Sequence, residues 1–544
     1  MSVDRTSVSP ETASGPEHVA LNQGELLSAV RRVREVAHIV RDTTSGAIGV
    51  GFEGHVALEG SSRFVVLASL PPLYPEWLGD RAFCEAHNLR FPYVGGAMAN
   101  GIASPEMVVA LANSGMLGFL GTAGLSLNQI RDYVGRTRRE LDGTGRSWGA
   151  NLIHSPQQPS MEMATVECFF ELGVTRVSAS AFMSLTPAVV RYAATGLRRL
   201  SDGSIERRNR VFAKISRPEV AAHFMRPAPE RLLRPLVDSG QLSEEEARLA
   251  ARIPVAEDII VESDSGGHTD NRPLSALFPV IARQRDRIAQ QYDAAASIRL
   301  GAAGGLGTPE AIASAFSLGA AFVLTGSINQ TSVEAAQSQA SKELLASASF
   351  SDVTMAPAGD MFEMGVEVQV LKRGSFFAAR AKKLYEIYSR YDAIEEIPAE
   401  IRQKLERQIF GADMEEIWES TRSYFAKHDP SEVERAERDP KHRLALVCRW
   451  YLGLSSKWPL TGDEDRRMDY QIWMGPAQGA FNDWARGSFL ENLENRTVVQ
   501  MALNLLEGAA IITRAQQLRT YGAPVPAKAF DAKPQRLAVQ SETR

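Results

Sequence analysis

From residue 91 onward, short apolar runs alternate with longer stretches whose apolar residues recur every three or four positions. The short runs predict buried strands, and the longer stretches predict amphipathic helices. Strands that alternate with helices indicate a parallel sheet, and eight such units make a (β/α)8 barrel, or TIM barrel. We therefore predict an α/β fold. The eight predicted strands span 92–95, 117–120, 148–153, 176–179, 211–215, 259–261, 297–300 and 321–324.

Departures from this strand–helix alternation predict the domain organisation. The fifth unit carries a helical insertion that, in a barrel, lies either over the active-site mouth as a lid or substrate wall, or outside it as passive decoration. After residue 395 the strand pattern ends. The predicted parts are an N-terminal extension (1–85) with a small β element at 48–68 and a disordered start (1–20), a barrel (86–395) with its insertion (217–256), a helical domain (396–520) and a loose tail (521–544).

Composition excludes several classes of protein. A net charge of −5 argues against a nucleic-acid binder. Cys84, Cys168 and Cys448 form no CxxC pair, which argues against a metal site or disulfide framework and suits the reducing cytoplasm. The polar N-terminus does not resemble a signal peptide. The apolar stretch 497–513 is interrupted by polar residues, so we expect a buried or amphipathic helix and no membrane span.

The sixth predicted strand leads into the most informative segment, DIIVESDSGGHTDNRP at 258–273. Gly266 and Gly267 let the backbone approach a ligand closely because they lack a Cβ. His268 follows them at the C-terminal edge of the strand, and histidine readily exchanges protons near neutral pH. We therefore predict His268 as the catalytic residue. His154, after the third strand, is a weaker candidate.

Glycine-rich corners follow strands seven and eight. Gly304-Gly305 and Gly326-Ser327 offer backbone N–H groups and a hydroxyl where barrels often bind phosphate. Each pair alone is a weak signal, but the two together indicate one phosphate site. No GxGxxG motif lies between a strand and a helix, so a mononucleotide, FMN, is favoured over a dinucleotide.

Other strand ends suit a flat ring with imide and carbonyl groups, such as an isoalloxazine. Gly96, Ala97 and Met98 follow strand one and would let a ring lie on the backbone, or would form only a tight turn. Asn151 ends strand three and Lys214 lies in strand five. The alternative for Lys214 is a structural ion pair inside the barrel. A lysine near the flavin N1–C2=O edge would stabilise the anionic reduced ring.

One motif match is dismissed. Residues 145–149 read GRSWG and fit the GxSxG pattern of serine hydrolases. That nucleophile needs a strand before it and a helix after it. Here the order is reversed, so Ser147 is predicted to be a turn residue.

These segments resemble the nitronate monooxygenase family of FMN-dependent barrels. The acid-small-Gly-Gly-His pattern is matched at 264–268, and the Gly-Gly corner at 304–305. Over about 90–520 the chain more closely resembles the flavin enoyl reductases that act in trans with polyunsaturated fatty acid synthases and trans-acyltransferase polyketide synthases. The strings that carry this likeness lie at 263–273, 355–392 and 474–491. A segment at 332–344 departs from the expected form but touches no flavin corner.

The resemblance implies a reaction and a set of ligands. FMN would be bound with help from Asp264 and Ser265, besides the residues named above. NADPH would reduce it, and the enzyme would reduce the α,β double bond of an enoyl thioester on an acyl carrier protein. His268 would donate the proton or orient its donor. Nitronate oxidation is one alternative, and a non-catalytic scaffold within a synthase is another. Whether two copies form a homodimer stays open.

An acidic carrier protein would need exposed cations near the mouth. The candidates lie in the 217–256 insertion and after the barrel, with ordinary solvated charges as the alternative. They are Arg226, Arg231, Arg234, Arg380, Lys382 and Lys383.

Overall fold

The computed structural model describes residues 19–52, 63–155 and 159–538. The described N-terminal part opens with helix α1 (Gln23–Ala29) and strands β1 (Ala37–Asp42), β2 (Ile48–Phe52) and β3 (Phe64–Leu70). These strands form an antiparallel sheet in the order β2-β1-β3. The predicted small β element is thus found, although sequence reasoning missed β1. Residues 53–62, and the predicted disordered segment up to residue 18, lie outside the described residues.

The eight predicted barrel strands are confirmed, and they close into one parallel barrel. The seventh begins two residues later than expected, because a 3-10 helix occupies 293–297. The helices and strands from the helix that precedes the barrel to the eighth barrel strand are α2 (Arg81–His87), β4 (Tyr93–Gly95), α3 (Pro105–Asn113), β5 (Leu117–Leu120), α4 (Leu127–Leu141), β6 (Gly149–Ile153), α5 (Pro159–Glu171), β7 (Arg176–Ser180), α6 (Pro187–Ala194), a hairpin of β8 (Arg198–Arg199) and β9 (Ile205–Glu206), β10 (Arg210–Ile215), α7 (Pro218–Phe224), α8 (Glu230–Asp238), α9 (Glu244–Ala250), β11 (Asp258–Glu262), α10 (Leu274–Ala289), β12 (Arg299–Ala303), α11 (Pro309–Ser317) and β13 (Phe322–Thr325).

The N-terminal end of the barrel is plugged by α2. Phe83 stacks on Phe322 inside the barrel with ring centroids 4.2 Å apart. At the strand starts, His87 Nε2 lies 2.8 Å from Asp258 Oδ2, and Arg299 Nε donates to Asp258 Oδ1 at 2.7 Å. Burial raises the cost of charging Asp258, but the hydrogen bonds from its two partners and the charge of Arg299 outweigh it and lower its pKa. Because α2 closes the N-terminal end of the barrel, the C-terminal end is the open one.

The insertion at 217–256 does not cover that open end. Helices α8 and α9 pack against α6 on the outer flank, and α9 also contacts the β8–β9 hairpin. Among the described residues, none from 218–256 lines the cavity at the mouth. Of the two positions that the sequence left open for this segment, the structure therefore shows the one outside the mouth. Its chain returns from α9 toward the N-terminal ends of the strands to start β11, which carries it away from the mouth.

The region after strand eight corrects the predicted domain boundaries. Residues 332–497 form an excursion that includes a hairpin and a helical cluster with its own core. Its elements are α12 (Gln339–Ala346), β14 (Val353–Pro357), β15 (Glu367–Leu371), α13 (Phe377–Arg390), α14 (Ala399–Leu405), α15 (Met414–His428), α16 (Pro430–Arg438), α17 (Pro440–Ser455), α18 (Trp458–Thr461) and α19 (Pro476–Ala485).

Helix α20 (Val498–Thr520) then packs between α11 and α3 and completes the barrel. The sequence pattern places it in a separate helical domain of 396–520, but it is the helix that belongs to strand eight. Although α20 is long and apolar enough to cross a membrane, 83% of its most apolar window is buried inside the protein. The apolar surface of α20 is therefore buried against the barrel and not exposed for a membrane.

The predicted loose tail is ordered as far as residue 538. Ala529 and Ala532 are buried in the core that α20 shares with the N-terminal sheet. The Trp484 indole donates to the Ala532 carbonyl at 2.7 Å, and Gln500 Nε2 donates to the Leu537 carbonyl at 2.6 Å. These contacts, which composition cannot reveal, hold the segment against the barrel.

Candidate active site

A cavity of about 870 Å³ lies at the C-terminal ends of the barrel strands. This volume is within the range of small-molecule and cofactor sites. Its floor is made by the loops after the strands, and its roof by the 332–497 excursion. The cavity brings together His268 and eleven of the twelve residues predicted to bind the cofactor. These are Gly96, Ala97, Met98, Asn151, Lys214, Ser265, Gly267, Gly304, Gly305, Gly326 and Ser327.

The glycines at the two corners are required for different reasons. A Cβ on Gly304 would lie 2.6 Å from Ser263 Oγ, so protein packing alone requires glycine there. A Cβ on Gly305 or on Gly326 would meet nothing within 4 Å. The φ of Gly326 is −126°, so no left-handed backbone explains this glycine. The space beside these two residues belongs to the cavity.

The backbone N–H groups at these corners are free to bind an anion. In the described part of the chain, the N–H groups of Gly304, Gly305 and Gly326 have no acceptor. The Ser327 hydroxyl accepts from the Gly475 N–H at 3.2 Å, and it can still donate its own hydrogen. Unpaired N–H groups are costly when a site is dry, and a phosphate satisfies them.

Asn151 can offer the cavity only an acceptor. Its Nδ2 group donates to the Ser178 carbonyl at 2.8 Å and to Ser180 Oγ at 2.9 Å. No described residue donates to its Oδ1. Because both amide hydrogens are used, the side chain is fixed, and its oxygen suits a ligand N–H.

Lys214 is both an ion-pair partner and a lining residue. Its Nζ lies 2.6 Å from Glu262 Oε1, and Ser265 Oγ donates to the same oxygen at 3.2 Å. The ion pair that the sequence left open is therefore present, and Lys214 also lines the cavity. Sequence reasoning missed Glu262, which also lines the cavity. A charged residue at the C-terminal end of a predicted barrel strand was the signal that could have found it.

His268 contacts a carboxylate from the roof. Its Nε2 lies 3.3 Å from Asp360 Oδ1, and Asp360 belongs to the loop between β14 and β15. Partial desolvation of the Asp360 carboxyl in the cavity opposes its ionisation, but the hydrogen bond and charge of His268 outweigh this effect and lower the pKa of Asp360. Asp360 was not predicted. Its only sequence signal was its place within the family string at 355–392.

Asp264 does not line the cavity, which corrects its predicted role. Its Oδ1 accepts from Gln369 Nε2 at 2.8 Å, and Gln369 also donates to the Ser265 carbonyl at 2.7 Å. The backbones of Gly267 and Gln369 exchange two hydrogen bonds of 2.9 and 2.7 Å. A Cβ on Gly266 would lie 2.9 Å from the Gly475 backbone nitrogen. Asp264 and Gly266 thus clamp the histidine loop to the roof.

The roof is largely apolar and carries one arginine. Arg449 Nη1 donates to Glu363 Oε1 at 3.2 Å. Sequence reasoning assigned none of these residues, because they lie far from the barrel strands in the chain. The roof residues that line the cavity include Ala358, Gly359, Met361, Met364, Val368, Arg449, Leu452, Gly453 and Trp473.

The secondary candidates have structural explanations. His154 lines the cavity, but its Nδ1 lies 3.0 Å from Glu162 Oε2 and its ring stacks on Phe182. Ser147 is buried and donates to the His87 carbonyl, as expected of a turn residue. The described residues contain no cluster of metal-ligating side chains. Burial raises the pKa of the Cys84 thiol to about 12, which makes it a poor nucleophile.

Comparisons with known proteins identify relatives of the chain. Residues 82–423 match the nitronate monooxygenase family, and residues 391–470 match the inserted helical domain of acyl-carrier-protein S-malonyltransferase. The enoyl reductase domain of MlnA, from the macrolactin biosynthesis cluster of Bacillus amyloliquefaciens, is 37% identical with a TM-score of 0.78. The match covers 82% of this chain and 99% of that one.

Two curated relatives are longer proteins. A polyunsaturated fatty acid synthase polypeptide of Thraustochytrium sp. is 42% identical over 523 residues, which are 95% of this chain but 34% of that protein. The polyketide biosynthesis protein PksE of Bacillus subtilis is 46% identical over 447 residues, 82% of this chain and 58% of that protein. The family match spans more than half of the chain, and the likeness to the MlnA domain spans nearly all of that domain. The chain therefore belongs to the nitronate monooxygenase family of oxidoreductases.

Proposed function

We propose that the chain is an FMN-dependent enoyl reductase of polyketide or polyunsaturated fatty acid biosynthesis. It would reduce the α,β double bond of an enoyl thioester on an acyl carrier protein, with NADPH as the reductant. One observation carries the proposal: a single cavity holds a glycine corner with unpaired N–H groups, a fixed amide oxygen and an exposed histidine. The likeness to a solved enoyl reductase domain, which covers 99% of that domain, supports the same assignment.

The residues present fit FMN. The unpaired N–H groups at Gly304, Gly305 and Gly326 suit its phosphate, and the Ser327 hydroxyl can join them. The Asn151 oxygen suits the imide N–H of the ring. Lys214 offers a positive charge for the ring's carbonyl edge, and Glu262 partly neutralises that charge. One phosphate corner and no dinucleotide motif favour FMN over FAD.

Each side chain then has a chemical task. Bound FMN would supply hydride chemistry, taking electrons from NADPH and returning them to the β-carbon of the substrate. His268 would give a proton to the α-carbon, directly or through an ordered donor. Such general-acid groups typically contribute about 10²–10⁴-fold to a rate. The clamp formed by Asp264 and Gly266 would keep the imidazole in place during that transfer.

The roof suits a long apolar substrate. Met361, Met364, Leu452 and Trp473 face the same cavity as the glycine corners. This apolar lining favours the enoyl substrate over nitronate oxidation.

The partner we propose is an acyl carrier protein. The match of 391–470 to a helical domain of a carrier-protein acyltransferase supports docking through this region. Of the predicted docking cations, Arg226, Arg231 and Arg234 lie on or beside the outer flank helices, away from the mouth. Arg380 is engaged with Asp469. Lys382 and Lys383 remain exposed candidates on α13, which packs against β14 and α17, so we propose docking there. Action in the cytoplasm is part of the same proposal.

An anaerobic experiment tests the function. Protein reduced with NADPH is mixed with an enoyl thioester on a carrier protein, and flavin reoxidation is followed by absorbance. We expect rapid reoxidation in the parent and His428→Ala proteins. His268→Ala should keep its flavin but react about 10²–10⁴-fold more slowly. His428 is a matched control, because it is exposed at the end of α15 and outside the cavity lining.

Two results would overturn this proposal. Parent-like reoxidation in His268→Ala would remove the histidine from the reaction. Oxidation of a nitronate by oxygen at a rate well above that of enoyl reduction would favour the alternative activity of the family.

A further inference from the structure

The excursion at 332–497 contributes a charged group to the proposed proton-transfer site. His268 lies on the loop after β11, whereas Asp360 lies between β14 and β15, about ninety residues later in the chain. Their side chains meet at the cavity, with Nε2 and Oδ1 3.3 Å apart. We propose that Asp360 is a positioning residue that orients the His268 imidazole through their ion pair.

The surroundings single out Asp360 among the carboxylates near His268. On the histidine's own loop, Asp270 is paired with Arg217, its Oδ1 lying 2.9 Å from the Arg217 Nη2 atom. Asp264 on that loop accepts from Gln369 and Asn271. Both acids are therefore committed to holding the loop.

Groups from the other elements complete the electrostatic setting. On the cavity floor, Glu262 is paired with Lys214. On the roof, Arg449 faces Asp360 and lowers its pKa, and Arg449 in turn contacts Glu363. Asp360 thus stays ionised beside His268, and the charge of Arg449 favours that ionisation.

The ion pair with Asp360 leaves one ring nitrogen of His268 available for proton transfer. When Nε2 donates to Asp360, Nδ1 is the nitrogen that can exchange a proton with a ligand, since an imidazolium carries a hydrogen on each. In the proposed reaction the substrate gains a hydride at its β-carbon and this proton at its α-carbon. The imidazole becomes neutral and is reprotonated from water, while the Asp360 carboxylate stays ionised throughout. The inference therefore rests on the proposed function.

The size of the effect follows from exposure. The side chains of His268 and Asp360 are 44% and 60% exposed, so solvent weakens their attraction. We expect Asp360→Asn to lower the kcat of enoyl reduction severalfold and to leave KM near the parent value, because the lost ion pair affects proton transfer and not substrate binding.

Two variants separate this role from a structural one. Asp360→Glu keeps the charge and should restore most of kcat. Glu367→Gln removes the same charge from the same hairpin, but Glu367 is exposed at the start of β15. We expect its kcat to match the parent. A parent-like kcat in Asp360→Asn, or a loss that appears only in KM, would overturn the proposal.

A double-mutant comparison and a spectroscopic measurement complete the test. Asp360→Asn should change nothing further when combined with His268→Ala, because Asp360 acts through the imidazole. Independent, multiplying losses would contradict that. In holoenzyme labelled at histidine carbons, the His268 NMR resonance should change its chemical shift in Asp360→Asn, and an unchanged resonance refutes the pairing. If the resonance shifts but carrier-bound enoyl reduction is absent in the parent protein, the proposed function fails while the pairing stands.

Discussion

Replacing Gly305 with aspartate tests the phosphate corner most directly. Gly305 is exposed with a φ of +67°, and a Cβ there would meet nothing within 4 Å. The left-handed backbone costs a non-glycine residue roughly 1–2 kcal/mol, less for aspartate. The new carboxylate would face the bound phosphate. Two unit charges about 4 Å apart at an effective dielectric of about 20 repel by about 4 kcal/mol, which corresponds to nearly a thousandfold weaker FMN binding.

A matched control isolates the charge from the backbone. Gly319 is also exposed and has a φ of +95°, and a Cβ added to it would meet nothing within 4 Å, but it precedes β13 at the opposite end of the barrel. Gly319→Asp should therefore share the backbone cost and keep FMN. Gly305→Asn, which adds similar bulk without charge, should bind FMN with intermediate affinity.

The assay is a titration of apoprotein with FMN, followed by quenching of flavin fluorescence, together with thermal unfolding. We expect similar melting temperatures for the two aspartate variants without FMN. Added FMN should stabilise Gly319→Asp but not Gly305→Asp. Equal FMN affinity in the two aspartate variants would show that the phosphate binds elsewhere.

Three further predictions address the charged groups. Glu262→Gln should raise the midpoint potential of the bound flavin, because the charge of Lys214 would no longer be neutralised. Lys214→Met should lower it, and unchanged potentials in a spectroelectrochemical titration would contradict both. Burial lowers the pKa of His87 from its ordinary 6.5 despite its bond to a carboxylate. The neutral ring therefore stabilises the fold above that pH, and this stability is lost on acidification. The melting temperature should fall between pH 7 and 5, and by less in His87→Gln. Lys382→Glu should raise the KM for carrier-bound substrate in a salt-dependent way, whereas Arg231→Glu on the flank should not, and equal effects would argue against docking at α13.

The barrel strands and the glycine corners were predictable because their signals are local. Each strand is a short apolar run, and the corners follow it directly in the chain. The histidine loop could likewise be recognised from 258–273 alone. These features depend on neighbours a few residues away.

The roof was not predictable for the opposite reason. Asp360 reaches His268 only because the hairpin of β14 and β15 pairs with the loop at Gly267. Nothing in the apolar pattern of α20 distinguishes a barrel helix from a helix of a separate domain, since both bury one broad face. Its assignment required its contacts with α11 and α3. Asp264 was misassigned because a family pattern records which residues recur and not which way they face.

The late return of α20 affects the order in which the protein can be made. During synthesis, all eight strands emerge before the helix that seals the eighth, and about 170 residues separate β13 from that helix. The N-terminal sheet also buries its apolar face against α20, so it too waits for its partner. Such non-local closure is slow and leaves apolar surface exposed in the meantime. A nascent chain that has reached only residue 395 would carry every strand and every glycine corner, yet it would remain an open barrel and a substrate for chaperones.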